Sequence, residues 1–269
     1  MAAFSRINAL LLALLLIFPC GVWAGDEPCD VDDDPTCVTP LARSLDTLKT
    51  YVTSPVHWSG RDWWYAGAVL AAVGIAHQFD GSVRTHFTGN SPAALHANTH
   101  DLQDALPMAG LFLGTWGYAK VIDDSDGLRE AHTMIESAVL SVGAAYLFQF
   151  AAGRERPYQT TDPNRWRAGG SSFPSVHATA AFAIGSVLAE SGNYRWVRRL
   201  LGFGAAGFTL YERLDHNAHW LSDTVAGAAL GSATARFAMT RNRDSEHAAT
   251  IQVAPMYRGV MLTYRVPIH

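Results

Sequence analysis

Three short segments concentrate arginine, histidine and serine at helix boundaries: Gly153-Arg154-Glu155-Arg156-Pro157, Phe173-Pro174-Ser175-Val176-His177, and the stretch from Arg213 to Asp223 that carries His216, His219 and Ser222. Each has the chemistry of an anion site. Pro174 followed by Ser175 reads as a helix start with Ser175 as the N-cap. The unsatisfied N–H groups of that first turn and the positive end of the helix dipole form a cradle for phosphate. Arg156 and Arg213 offer planar forks to its oxygens. His219 and Asp223 are four residues apart and share one helix face, so the carboxylate can hold one imidazole nitrogen and leave the other to attack. His177, in the first turn after Ser175, can face the same anion from the leaving-group side. Each feature alone is common. Together they are the parts of phosphoryl transfer through a phosphohistidine.

The order and spacing of the three segments resemble the type 2 phosphatidic acid phosphatase superfamily, which includes bacterial non-specific acid phosphatases and vanadium haloperoxidases. That family carries a Lys, six residues and Arg-Pro; then Pro-Ser-Gly-His; then Ser-Arg, five residues, His, three residues and Asp. Here the matching positions run from Gln149 to Asp223. The resemblance implies that His219 is the nucleophile, Asp223 its orienting carboxylate and His177 the acid that protonates the leaving oxygen. It implies phosphate binding by Arg156, Ser175 and Arg213, and hydrolysis that needs no metal or other cofactor. The sequence departs from the pattern at three positions. Gln149 stands in place of Lys, giving up a charge but keeping an N–H donor, a loss that costs ~2.7–4 kcal/mol where charge develops. Arg154, Arg165 or Arg167 are the nearby candidates to compensate. Val176 replaces Gly, which a helix start at negative φ tolerates. Glu212 replaces Ser and must point away or pair with an arginine. The phosphate-binding set is therefore expected to comprise Gln149, Arg154, Arg156, Ser175, Val176 and Arg213.

Helices must position these segments. Apolar stretches at 63–79, 105–122, 130–152, 176–190, 196–213 and 219–240 are rich in Ala and Gly and bounded by Pro, Gly, Asn and Asp. They predict an all-α, six-helix bundle with the site at one end. The tail alternates instead, and a terminal β-hairpin is expected over 250–254 and 259–266. Met1 to Ala24 has the anatomy of a secretory signal peptide, with Arg6, an apolar run and a small-residue cleavage site. Export makes a Cys29–Cys37 disulfide the expected fate of those thiols. The chain then divides into a signal peptide (1–24), a stapled tail (25–60), a helical phosphatase domain (61–245) and a hairpin tail (246–269).

Composition narrows the function. The chain has 269 residues, a net charge of −4 and only 16% charged residues, so neither whole-chain disorder nor a nucleic-acid footprint fits. Its basic residues are nearly all arginine; Lys49 and Lys120 are the only lysines. The aspartates at 30–34 and 123–126 read as solvated loops rather than calcium sites. His96 and His100 read as a polar surface rather than a metal pair. Trp58, Trp63, Trp64 and Tyr65 suit either a bilayer interface or the start of a core helix. The expected function is metal-independent hydrolysis of phosphomonoesters or diphosphates outside the cytoplasm, in the periplasm or at the inner membrane. The apolar helices point to a lipid or isoprenoid phosphate as substrate. Oligomeric state and membrane association are left open. Two alternatives stand beside it: a vanadium-dependent haloperoxidase, for which the chain is short, and a non-catalytic phosphate-lipid-binding relative, suggested by Gln149 and Val176.

Overall fold

The computed structural model describes residues 40–89, 101–247, 250–256 and 259–265. The signal-peptide segment, Cys29 and Cys37, the aspartates at 30–34, and His96 and His100 lie outside the described residues. The described residues fall into two compact units, one up to His57 and from Arg243 onward, the other between Trp58 and Asn242. The first holds helix α1 (Pro40–Thr53), a single 3-10 turn (Ser54–His57) and strands β1 (Thr250–Met256) and β2 (Gly259–Arg265). The strands pair antiparallel, Val253 opposite Leu262, which is the hairpin expected from the alternating tail.

The second unit is helical: α2 (Gly60–Gln78), α3 (Asp80–Thr88), α4 (Asp101–Val121), α5 (Ser125–Ala152), α6 (Val176–Glu190), α7 (Arg195–Asp215) and α8 (Leu221–His247, extending into the first unit). Each of the six expected helices has its counterpart in α2 and α4 to α8. Helices α1 and α3, which are short and more polar, lie outside the expected set. Local chemistry sets the ends. Ser59 and Asp62 form a reciprocal capping box at α2. Asp124 accepts the Asp126 N–H at the start of α5, so the aspartates at 123–126 are a helix cap. Gly153, in the left-handed region at φ 55°, closes α5. Ser175 caps α6, as expected.

Helix α6 is the spine. Its buried face runs from Ala178 to Ala189 and meets Met108 of α4, Met134 of α5, Ala206 of α7 and Ala235 of α8 in one apolar cluster. Glycine makes the contacts close. A Cβ built on Gly185 of α6 would lie 2.5 Å from the carbonyl oxygen of Gly202, and one on Gly231 of α8 would lie 2.1 Å from that of Thr179. By contrast α2 is mostly exposed, with Trp63, Trp64, Leu70 and Ile75 all facing outward. The Trp-rich segment therefore starts α2 without entering the core.

Gly231→Ala should destabilise the protein by about 1–3 kcal/mol, because the methyl has no room against backbone. Gly204→Ala on the exposed face of α7, where nothing lies within 4 Å of the added carbon, should stabilise it by about 0.5–1 kcal/mol. Thermal unfolding midpoints should move in opposite directions; equal midpoints would contradict the close α6–α8 contact.

Candidate active site

The chain that leaves α5 makes an excursion and returns on itself. Gly153 turns it, and the carbonyls of Ala152 and Gly153 accept from Arg167, Ala168 and Gly170. The Arg154 carbonyl accepts the Ser172 N–H at 2.9 Å, and Glu155 N–H bonds to Arg165. Gly170 is required at this crossing, since a Cβ there would sit 2.1 Å from the Arg154 carbonyl oxygen. The loop thereby lays Ser172 beside Arg154, next to the start of α6. The α7–α8 turn meets it from the other side. Asn217 takes the left-handed conformation, which Asn accepts more readily than most residues. The Arg213 carbonyl receives the N–H groups of Ala218 and His219.

His219 is buried, and its Nδ1 lies 2.8 Å from the Ser172 carbonyl oxygen. A carbonyl only accepts, so Nδ1 carries the proton and, in the neutral ring, Nε2 holds the lone pair. Asp223 Oδ2 stands 3.8 Å from Nδ1. The sequence-based expectation that Asp223 grips the imidazole directly is thus corrected: a backbone carbonyl does so, and Asp223 stands one step behind. Its oxygens are taken. Oδ2 accepts the Trp220 N–H at 2.9 Å and the Ser172 hydroxyl, while Oδ1 accepts Arg154 Nη1 at 2.6 Å. Burial pushes the Asp223 carboxyl above the usual carboxylate range; Arg154, the Ser172 hydroxyl and the Trp220 N–H pull against that.

Arg154 is fully buried and commits all five of its N–H donors. They go to Asp223 Oδ1, the Ser222 hydroxyl, Asp80 Oδ2 at 2.7 Å, and twice to the Pro163 carbonyl. Its guanidinium also lies 4.4 Å from the Trp166 ring and 5.4 Å from that of Trp220. The expectation that Arg154 contacts phosphate is corrected for that reason: no donor is left to give. Asp80, the first residue of α3, accepts Ser222 N–H at 2.8 Å, the Ser222 hydroxyl at 2.7 Å and His77 Nδ1 at 2.8 Å.

The remaining expected residues fall around this centre. Ser175 is buried, and its N–H bonds the Asp223 carbonyl at 3.0 Å, joining the second segment to the third. Gln149, buried in the last turn of α5, donates Nε2 to the Pro174 carbonyl at 2.9 Å and so pins the loop that enters α6. Arg213 is buried at the end of α7. Arg156 is half-buried and reaches the Ser171 carbonyl at 3.4 Å. Val176 and His177 open α6 and are half-buried. Of the candidates to compensate for Gln149, Arg165 is exposed and pairs with Glu155 at 3.3 Å, and Arg167 is exposed with positive φ. Sequence reasoning missed Ser172, Asp80 and His77, and it gave Ser222, quoted in the third segment, no role. Only His77 and Asp80, three apart, carry any local signal.

Arg154→Ala would leave two buried carboxylates without their counter-charge, so unfolding in urea should show a loss of about 3–5 kcal/mol. Arg165→Ala, which removes only an exposed ion pair, should change stability by no more than about 1 kcal/mol. Similar losses in the two variants would mean that Arg154 is not the buried link described.

Comparison with known proteins finds similarity over the same part of the chain. Residues 131–246 match the PAP2 superfamily model, a stretch that contains all three segments. The chain is 28% identical over 226 residues to a lipid A 1-phosphatase of Porphyromonas gingivalis, an alignment covering 82% of this chain and 47% of that protein. The chain therefore spans about half the length of the curated relative it matches. A crystal structure of Aquifex aeolicus LpxE aligns with a TM-score of 0.35 and 18% identity, over 59% of this chain and 93% of that one. Residues 131–246, with the three segments inside them, are thus similar to the PAP2 superfamily, the type 2 phosphatidic acid phosphatases.

Proposed function

We propose that the protein is a metal-independent phosphatase that hydrolyses phosphomonoesters or diphosphates, with a lipid or isoprenoid phosphate as substrate, through a phosphohistidine. The observation that carries this reading is the 2.8 Å bond from His219 Nδ1 to the Ser172 carbonyl. It fixes the tautomer whose Nε2 lone pair can attack phosphorus. In the proposed first step Nε2 bonds to phosphorus as the ester P–O bond breaks. His177 gives its proton to the departing oxygen. Water then attacks the phosphohistidine, passes a proton to His177 and releases inorganic phosphate with His219 restored. Arg156, Arg213 and the N–H groups at the start of α6, that of Val176 included, are the proposed phosphate ligands. Ser175 and Gln149 hold that helix start in place.

Two observations support a lipid-borne substrate. The relative from Porphyromonas gingivalis carries the name lipid A 1-phosphatase. The helical unit also exposes an unusual number of large apolar side chains, among them Trp64, Leu70, Phe150 and Leu200. Helix α5 is long and apolar enough to cross a membrane. We accordingly propose an exported protein at a membrane surface, with its site outside the cytoplasm.

Purified protein should release phosphate from lipid phosphates, isoprenyl diphosphate or soluble monoesters at the same rate with a chelator present. Vanadate should inhibit it by copying five-coordinate phosphorus. His219→Ala should abolish turnover and the acid-labile phosphate trapped on the enzyme; Asp223→Asn should lose less. Turnover retained without His219, or lost on metal removal, would refute the mechanism. Vanadate-dependent oxidation of bromide by peroxide would point to the haloperoxidase branch of the family instead.

A further inference from the structure

We propose that Asp80 is a positioning residue of this site, acting through Arg154 to set the charge that Asp223 presents beside His219. The inference rests on the reading of His219 as nucleophile. Asp80 opens α3, yet its carboxylate serves the first turn of α8: Oδ1 accepts the Ser222 N–H and Oδ2 the Ser222 hydroxyl. Asp223 accepts the N–H of Trp220 in that same turn. Two carboxylates from distant parts of the chain therefore cap one helix start, and Arg154 bonds to both at 2.7 and 2.6 Å. All three side chains are wholly buried.

Such a cluster has a chemical consequence. One guanidinium shared between two carboxylates leaves a net negative charge close to the imidazole. As Nε2 bonds to phosphorus, positive charge develops on that ring, and Asp223 at 3.8 Å is placed to stabilise it. Without the charge of Asp80, Arg154 would turn wholly to Asp223 and neutralise it. Asp80 thus keeps Asp223 negative in effect. His77, whose Nδ1 faces Asp80 at 2.8 Å, and Asn164, which faces His77 Nε2 at 3.0 Å, extend the chain to the surface loop.

The test is a double-mutant cycle on kcat and KM in the full-length protein, with folding followed by circular dichroism. Asp80→Asn should lower kcat by roughly tenfold while KM changes less than about twofold, and Asp80→Glu should recover part of the loss. In an Asp223→Asn background, adding Asp80→Asn should lower kcat by less than about twofold, because the charge on which it acts is gone. Equal losses in both backgrounds, or an effect confined to KM, would overturn the proposal. If Asp80→Asn does not fold, Ser222→Ala decides in its place. That variant keeps the backbone bond to Asp80 and removes the bridging hydroxyl, and its loss of kcat should likewise vanish in the Asp223→Asn background. A wild-type protein that releases no phosphate from any ester overturns the phosphatase reading together with this one. An active wild type without the coupling overturns this one alone.

Discussion

A single guanidinium, buried between two carboxylates, organises the helical unit. Taking three charges out of water costs several kcal/mol for each ion, and only close geometry with every donor and acceptor occupied returns it. Arg154 meets that condition with five N–H donors and five bonds. The demand reaches outward. The loop after α5 must fold back so that the Pro163 carbonyl and Ser172 arrive on time, and Gly153 and Gly170 make that return sterically feasible. The start of α8 must lie against α3. What satisfies one buried cation also fixes the carbonyl that orients His219.

The two helix starts at this site are treated differently. That of α8 receives two carboxylates, Asp80 on the Ser222 N–H and Asp223 on the Trp220 N–H, so its positive end is already answered within the protein. That of α6 carries the neutral hydroxyl of Ser175 on the Ala178 N–H and has no acidic residue in its first turn. The anion of the proposed substrate would be drawn to α6, while His219 stands in the turn before α8. The asymmetry separates the proposed place of the phosphate from that of the nucleophile and gives them neighbouring positions.

Much of this was legible in the sequence, and the illegible parts have a common cause. Helices with apolar periodicity and a cap of Ser, Asp or Gly announce themselves; α6 begins and ends where Ser175 and the apolar run say it should. The three segments single out His219, the proposed nucleophile, and its neighbours because their spacing is a local property. Ser172 carries no such mark, and Asp80 only its spacing of three from His77. Ser172 contributes a backbone carbonyl, which any residue has, and Asp80 acts on groups 74 and 142 positions away. The roles of Arg154 and Asp223 escape the sequence for the same reason. Residue type says that an arginine can hold an anion, but only the fold says that two carboxylates have already claimed it.

The glycine contacts of α6 act as an index mark. A Cβ on Gly227 would fall 2.6 Å from the Ser175 carbonyl oxygen, and one on Gly231 would strike the backbone one turn further along. At the other end of the helix Gly185 and Gly202 meet in the same way. With backbone seated on backbone at both ends, α6 can neither slide by a residue nor roll about its axis without driving a methyl into a neighbouring chain. The position of the α6 start, the proposed anion cradle, is therefore dictated by crossings that stand outside the proposed chemistry. Sequence drift at those crossings would shift the alignment of that proposed site before it was felt as a loss of fold.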